Sequence, residues 1–201
     1  MHCPFFYVKY PKMIITKDVC KKVSVDYFFV KGQIDIDSDY FISKIKEGCN
    51  LENALSYKTN IKGLMTPYKY FAKDKNLHIV LENFIDFIDD NYDHPNYTLV
   101  DAWGYEVRRR EKTVLHDHSD SLWSGVIYLN SSSQILSFPQ IQEEIKPEKG
   151  AFAIFSPFLK HECTNNTDNH SKFGISFNFK KLSVDWGCLH TIIAIKYNNL
   201  E

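Results

Sequence analysis

Four side chains of this sequence have the types and spacing to do chemistry together. They are His116, Asp117 and His118 in the run Val114-Leu115-His116-Asp117-His118, and a distant imidazole at His161. In an extended segment alternate side chains share a face, so His116 and His118 can converge on one ion while Asp117 points elsewhere. If the segment is a loop, Asp117 rivals His118 as the ligand. Two close ligands and one distant one make a three-point site with coordination positions left open, which is what a catalytic metal needs and a structural one lacks. The chain holds eight histidines, and a His-x-His pair alone is more often two unrelated surface imidazoles, so the surrounding segments have to carry the reading.

Those segments come in a definite order. After the His pair stands the apolar run Ser124-Gly125-Val126-Ile127-Tyr128-Leu129-Asn130, then Ile135-Leu136-Ser137-Phe138. Ile145-Lys146-Pro147-Glu148-Lys149-Gly150-Ala151-Phe152-Ala153-Ile154-Phe155 follows, then His161, then Lys172-Phe173-Gly174-Ile175-Ser176-Phe177-Asn178-Phe179. Over roughly residues 97 to 180 this succession resembles the iron(II)/2-oxoglutarate dioxygenases, in particular the prolyl-hydroxylase-like branch and its small bacterial and phage-borne relatives.

The resemblance implies iron(II) held by His116, His118 and His161, with 2-oxoglutarate as cosubstrate and ascorbate as an accessory reductant. It implies that Lys172 and Tyr128 reach the far carboxylate of 2-oxoglutarate, and that Ser124 and Ser176 occupy small hydroxyl positions on the neighbouring inward faces. The reaction implied is oxidative decarboxylation of 2-oxoglutarate to succinate and carbon dioxide, coupled to hydroxylation of a small-molecule or peptide substrate. Two positions depart from the wider pattern. His118 stands where the superfamily usually has a carboxylate, which leaves a neutral set of three nitrogens that zinc, nickel and copper also accept. Lys172 stands where Arg is commoner, and meets a carboxylate as a point charge instead of a bidentate fork. The rival reading is a non-catalytic, cupin-like metal or ligand-binding β-sandwich, for which a cation and a phenol at Lys172 and Tyr128 have no use.

The elements that must position these residues are mostly short strands. They are expected at 97–103, 113–118, 124–129, 134–138, 151–156, 159–164, 172–179 and 190–196, with turn signals at Asn130-Ser131-Ser132-Ser133 and Lys149-Gly150. This reads as mainly β with some helix, a jelly roll, which by resemblance is a double-stranded β-helix with N-terminal supporting helices. Upstream, Val23 to Val30 is the clearest of a few strands in residues 1–35, a helix is expected from Ser38 to Gly48, and 50–72 reads as irregular. A longer helix from Asp74 to Tyr92 keeps Leu77, Val80, Leu81, Phe84, Ile85, Phe87 and Ile88 at helical spacing, and is expected to pack on the back of the sheet. No repeat or linker divides the chain, so residues 1–201 are expected to form one domain, with the core at about 97–196 and support from 1–96.

Composition excludes several classes. With 24 Lys and Arg against 25 Asp and Glu, there is no nucleic-acid footprint. The one basic cluster, Arg108-Arg109-Arg110, is either a solvated turn or a rim attracting an acidic substrate. The five cysteines, Cys3, Cys20, Cys49, Cys163 and Cys188, have no Cys-x-x-Cys pair and read as reduced thiols in a cytoplasmic protein. Neither a secretion signal nor a membrane span is expected.

Overall fold

The computed structural model describes residues 26–91, 93, 95–118 and 120–182. The strands expected before residue 26, the strand expected at 190–196, and Cys3, Cys20 and Cys188 lie outside the described residues. Within them the protein is mainly β: eleven strands in two antiparallel sheets, with two helices.

The strands in chain order are β1 (Phe29–Gln33), β2 (Ile61–Lys62), β3 (Leu64–Met65), β4 (Tyr97–Val107), β5 (Lys112–His116), β6 (Trp123–Tyr128), β7 (Leu136–Phe138), β8 (Glu143–Ile145), β9 (Ala151–Phe155), β10 (His161–Cys163) and β11 (Lys172–Lys181). The six-stranded sheet runs β1-β9-β6-β11-β4-β3, and the five-stranded sheet runs β2-β5-β10-β7-β8. The helices are α1 (Ser38–Gly48) and α2 (Lys75–Asn91). Asp37 caps α1 by accepting from the Tyr40 amide at 3.1 Å, and Asp74 caps α2 by accepting from the Leu77 amide at 3.0 Å. The Tyr40 hydroxyl also donates to Asp74, at 2.7 Å, tying the two helix starts together.

Both faces of the six-stranded sheet are covered, so alternate residues of a strand enter two different cores. On β11, Phe173, Ile175, Phe177 and Phe179 join Leu77, Val80, Leu81, Phe84 and Ile88 of α2 in one core cluster. Lys172, Gly174, Ser176 and Asn178 therefore face the other way, toward the second sheet. There Trp103, Tyr105, Val126, Tyr128, Ala153 and Phe155 meet Leu136, Phe138, Ile145 and Cys163 in a second cluster. The helix therefore packs on the back of the sheet as its periodicity requires, with one correction. Phe87 is 41% exposed, one position outside the stripe that carries Phe84 and Ile88.

Three other expectations change at the strand level. The stretch 50–72 contains β2 and β3, each of two residues, which no periodicity can reveal. Gly63 joins them where a side chain would fall 2.6 Å from the Glu106 carbonyl oxygen. The hairpin strand β8 is absent from the sequence reading because Glu143-Glu144-Ile145 has no apolar alternation. The first described strand begins at Phe29 because its register is set by β9, with Phe29 opposite Phe155 and Gln33 opposite Ala151.

Gly125 of β6 explains the tight approach of β6 and β11. A Cβ at Gly125 would lie 2.3 Å from the Phe177 ring, which is itself fully buried. Gly125→Ala should therefore destabilise the fold by about 1–3 kcal/mol, read from the urea midpoint, and an unchanged midpoint would show that this core can yield.

Candidate metal centre

β5 and β10 pair so that His116 lies opposite His161. His118 follows β5, its amide donating to the Pro157 carbonyl at 2.8 Å and its own carbonyl accepting from Ser121 at 2.9 Å. Three imidazoles from two segments thereby meet: one ligand nitrogen from each of His116, His118 and His161 lies within 4.8 Å of the others. Asp117 is outside this group. Its side chain is exposed and lines the rim of the adjoining cavity.

The ring orientations are set locally. The Nδ1 of His116 is 2.9 Å from the Val114 carbonyl, and that of His161 is 3.0 Å from the Leu159 carbonyl, each two residues back along the chain. A carbonyl can only accept, so both rings carry their proton on Nδ1 and present Nε2 as a free lone pair. The Nε2 atoms of His118 and His161 are 3.3 Å apart. Two ligands at right angles on a metal, with bonds of about 2.1 Å, would stand about 3.0 Å apart.

Electrostatics favour the same state. Burial lowers the pKa of all three imidazoles. His118 falls to about 4, its burial reinforced by the neighbouring His116, and His161 falls well below its usual value through burial and then the other two rings. Phe138 and Phe155 pack on His161 at ring separations of 5.4 and 4.8 Å, which keeps that side dry. Three neutral nitrogen donors on one face, with aromatic walls behind, fit a divalent transition ion with positions open.

The cluster sits between two cavities. The outer one, about 330 Å³, is lined by Trp103, Asp101, Asp120, Tyr68, Asn178 and the two nearer histidines among others. The inner one, about 40 Å³, reaches from the three histidines to Tyr105, Tyr128, Thr113, Cys163 and Ser176. Lys172 lies behind two of these wall residues: only 1% exposed, its Nζ is 3.5 Å from the Cys163 Sγ and 5.5 Å from the centre of the Tyr128 ring. No carboxylate lies within ion-pair distance of it among the described residues. Burial lowers the Lys172 pKa, partly offset by Cys163. Tyr128 and Tyr105 are hydrogen-bonded to one another, and burial raises both phenols well above their usual value.

Of the remaining expected residues, Ser176 lines the inner cavity. Ser124 is buried but donates to the Asn178 side-chain Oδ1 at 2.8 Å and lines neither cavity. The arginines lie on the β4–β5 turn, away from both. Arg108 pairs with Glu106 at 2.9 Å and Arg109 donates to Asn169, so the solvated turn is the reading that holds. Trp103, Tyr105 and Thr113 were not singled out from the sequence. Only the period-two spacing of Trp103 and Tyr105 hinted that both face one way.

No protein-family model matches the sequence, and no curated protein matches it. Solved structures do. The viral collagen prolyl hydroxylase of Paramecium bursaria Chlorella virus-1, in complex with 2-oxoglutarate, aligns with a TM-score of 0.60 at 16% identity over 78% of this chain and 96% of its own. The carbocyclase SnoK of nogalamycin biosynthesis, described as non-heme and α-ketoglutarate dependent, aligns at 0.60 and 10% identity over 76% and 79%. HygX of Streptomyces hygroscopicus, with nickel and 2-oxoglutarate bound, aligns at 0.54 and 10% over 76% and 82%. At these identities the likeness is one of fold.

The lowered imidazole pKa values give a signed prediction. Because the folded values lie below the usual 6.5 or so, the unfolded chain takes up protons first as pH falls. Metal-free protein should keep this contribution to stability above about pH 6.5 and lose it progressively toward pH 4. His118→Gln should flatten that part of the urea-midpoint profile relative to the parent; parallel profiles would mean that the imidazole is solvated. His116→Ala, His118→Ala and His161→Ala should each abolish the rise in Tm that iron(II) produces, whereas Asp117→Ala should keep it.

Proposed function

We propose that this protein is an iron(II)- and 2-oxoglutarate-dependent oxygenase that hydroxylates a small-molecule or peptide substrate. We further propose that the chain is one domain whose paired sheets form a double-stranded β-helix, that it works in the cytoplasm with reduced thiols, and that ascorbate serves as an external reductant. The observation that carries the reading is Lys172. A buried ammonium without a carboxylate is costly, and this one lies directly behind Cys163 and Tyr128, two wall residues of the cavity that the three imidazoles open. A dianionic ligand that reaches from a metal to a lysine relieves both ends at once.

His116, His118 and His161 would hold the metal through nitrogens. Iron(II) with 2-oxoglutarate supplies oxidative decarboxylation to succinate and carbon dioxide, coupled to oxidation of a substrate C–H bond by dioxygen. Lys172 would receive the C5 carboxylate, with the Tyr128 and Tyr105 hydroxyls as further donors at that end and Ser176 and Thr113 along the walls. Phe138 and Phe155 exclude water beside His161, so that the ligand is oriented in a dry pocket. The outer cavity leads to the two histidines nearest solvent and gives a substrate access. A cupin-like binder that only holds a metal would have no use for the Lys172 ammonium.

Anaerobic titration with iron(II) and 2-oxoglutarate should produce a weak visible charge-transfer band. Lys172→Ala should leave iron affinity nearly unchanged and weaken 2-oxoglutarate by roughly 2–5 kcal/mol, as expected for removing one partner of a buried charge pair. Tyr128→Phe should cost less, about 1.5–3 kcal/mol. Oxalylglycine should compete with 2-oxoglutarate, and pyruvate, which lacks the distal carboxylate, should bind poorly to parent and Lys172 variant alike. Equal 2-oxoglutarate affinity in parent and Lys172→Ala protein would leave the non-catalytic metal binder as the better account.

A further inference from the structure

The outer cavity has an unequal charge balance and one unmet hydrogen-bond donor. Asp101, Asp117 and Asp120 line it against a single cation, Lys180. None of the three carboxylates is in an ion pair among the described residues. The second observation is independent of charge. Trp103, 4% exposed, lines both cavities, and its indole N–H is cut off from solvent without a hydrogen-bond partner. Its ring is otherwise packed, edge-to-face with Tyr68 at 5.2 Å and stacked over His118 at 6.2 Å. A buried donor without an acceptor carries a desolvation cost that a bound acceptor would remove.

We propose that the outer cavity is a substrate site for a cationic, amine-bearing molecule, which gives a carbonyl or hydroxyl oxygen to the Trp103 indole N–H and its ammonium to Asp101 and Asp120. This rests on the oxygenase reading only in assigning the occupant as substrate; the binding preference follows from the cavity itself. Trp103 is buried beside His118, whereas Asp101 is half-buried and Asp120 exposed, so a bound molecule is oriented with its acceptor inward and its charge outward. Exposed Tyr68 adds a ring face on which an ammonium can rest. Anionic molecules meet a net negative mouth, and neutral ones gain the indole bond alone.

The test uses the full chain with 15N-labelled indoles. The sequence holds three tryptophans, and Trp103→Phe identifies the resonance that belongs to Trp103. Three probes share the same backbone carbonyls and carry a cationic, a neutral and an anionic side chain: N-acetyl-lysine methylamide, its Nε-acetylated counterpart, and N-acetyl-glutamate methylamide. Each is titrated into metal-free protein and into protein holding zinc(II) and 2-oxoglutarate. The lysine probe should move the Trp103 resonance saturably and bind at least about five-fold more tightly than either other probe. The Asp101→Asn/Asp120→Asn double variant, checked for fold by its melting curve, should bring it down to the neutral probe's affinity. Equal or tighter binding of the neutral or acidic probe, or an indole resonance that the lysine probe does not move, overturns the amine site. The charge-transfer titration tests the oxygenase reading separately. The band without amine binding overturns the site alone, and amine binding without the band supports the site while overturning the reading.

Discussion

Everything at the candidate centre depends on burying polar groups between two sheets without letting them ionise at will. An imidazole in that layer is held neutral by the cost of desolvating its charged form, and a neutral imidazole has a lone pair to give. The strand backbone completes the arrangement. His116 and His161 each satisfy Nδ1 with the carbonyl two residues behind, at Val114 and Leu159, so the lone pairs are left on Nε2. The antiparallel pairing of β5 with β10 brings those two rings together.

The same burial that disarms the histidines makes Lys172 costly. Its nearest polar neighbours are a thiol and a phenol ring, and neither neutralises an ammonium. Stability alone would be better served by an apolar residue of similar volume. A buried cation set behind the wall of a small cavity that three imidazoles line is instead the arrangement expected of a pocket shaped for the proposed dianion. The six-stranded sheet can carry this load because its other face, including the nearly all-aromatic side of β11, is closed by α1 and α2, which leaves the inward face free for polar residues.

The two cavities differ in character. The inner one is narrow and aromatic-walled, with Lys172 behind its Cys163 and Tyr128 wall; the outer one is open, acidic and floored by Trp103. Both are bounded by His116, His118 and Trp103, so whatever occupies one lies beside whatever occupies the other. This proximity is what a reaction between a cosubstrate and a substrate at a shared metal requires.

Much of this was legible in the residues themselves, where the physics is local. The periodicity of Leu77, Val80, Leu81, Phe84 and Ile88 marks α2 and its buried face, because a helix repeats every 3.6 residues whatever it packs against. The alternation in β6, β9 and β11 marks strands, and the His-x-His spacing marks a shared side. Tertiary structure decided the rest, because it depends on which strand lies beside which. The two-residue strands β2 and β3 exist only through their partners β5 and β4. The sequence favoured His118 but left Asp117 as a rival ligand, until the course of the chain past β5 left Asp117 exposed at the rim and set His118 beside His161. Ser124 and Ser176 are alike as small inward residues, yet the register of β6 against β11 sets Ser124 opposite Asn178, and its hydroxyl is used there. Nor could any local pattern show that Trp103 would lack an acceptor, since an unmet donor is a property of everything around it.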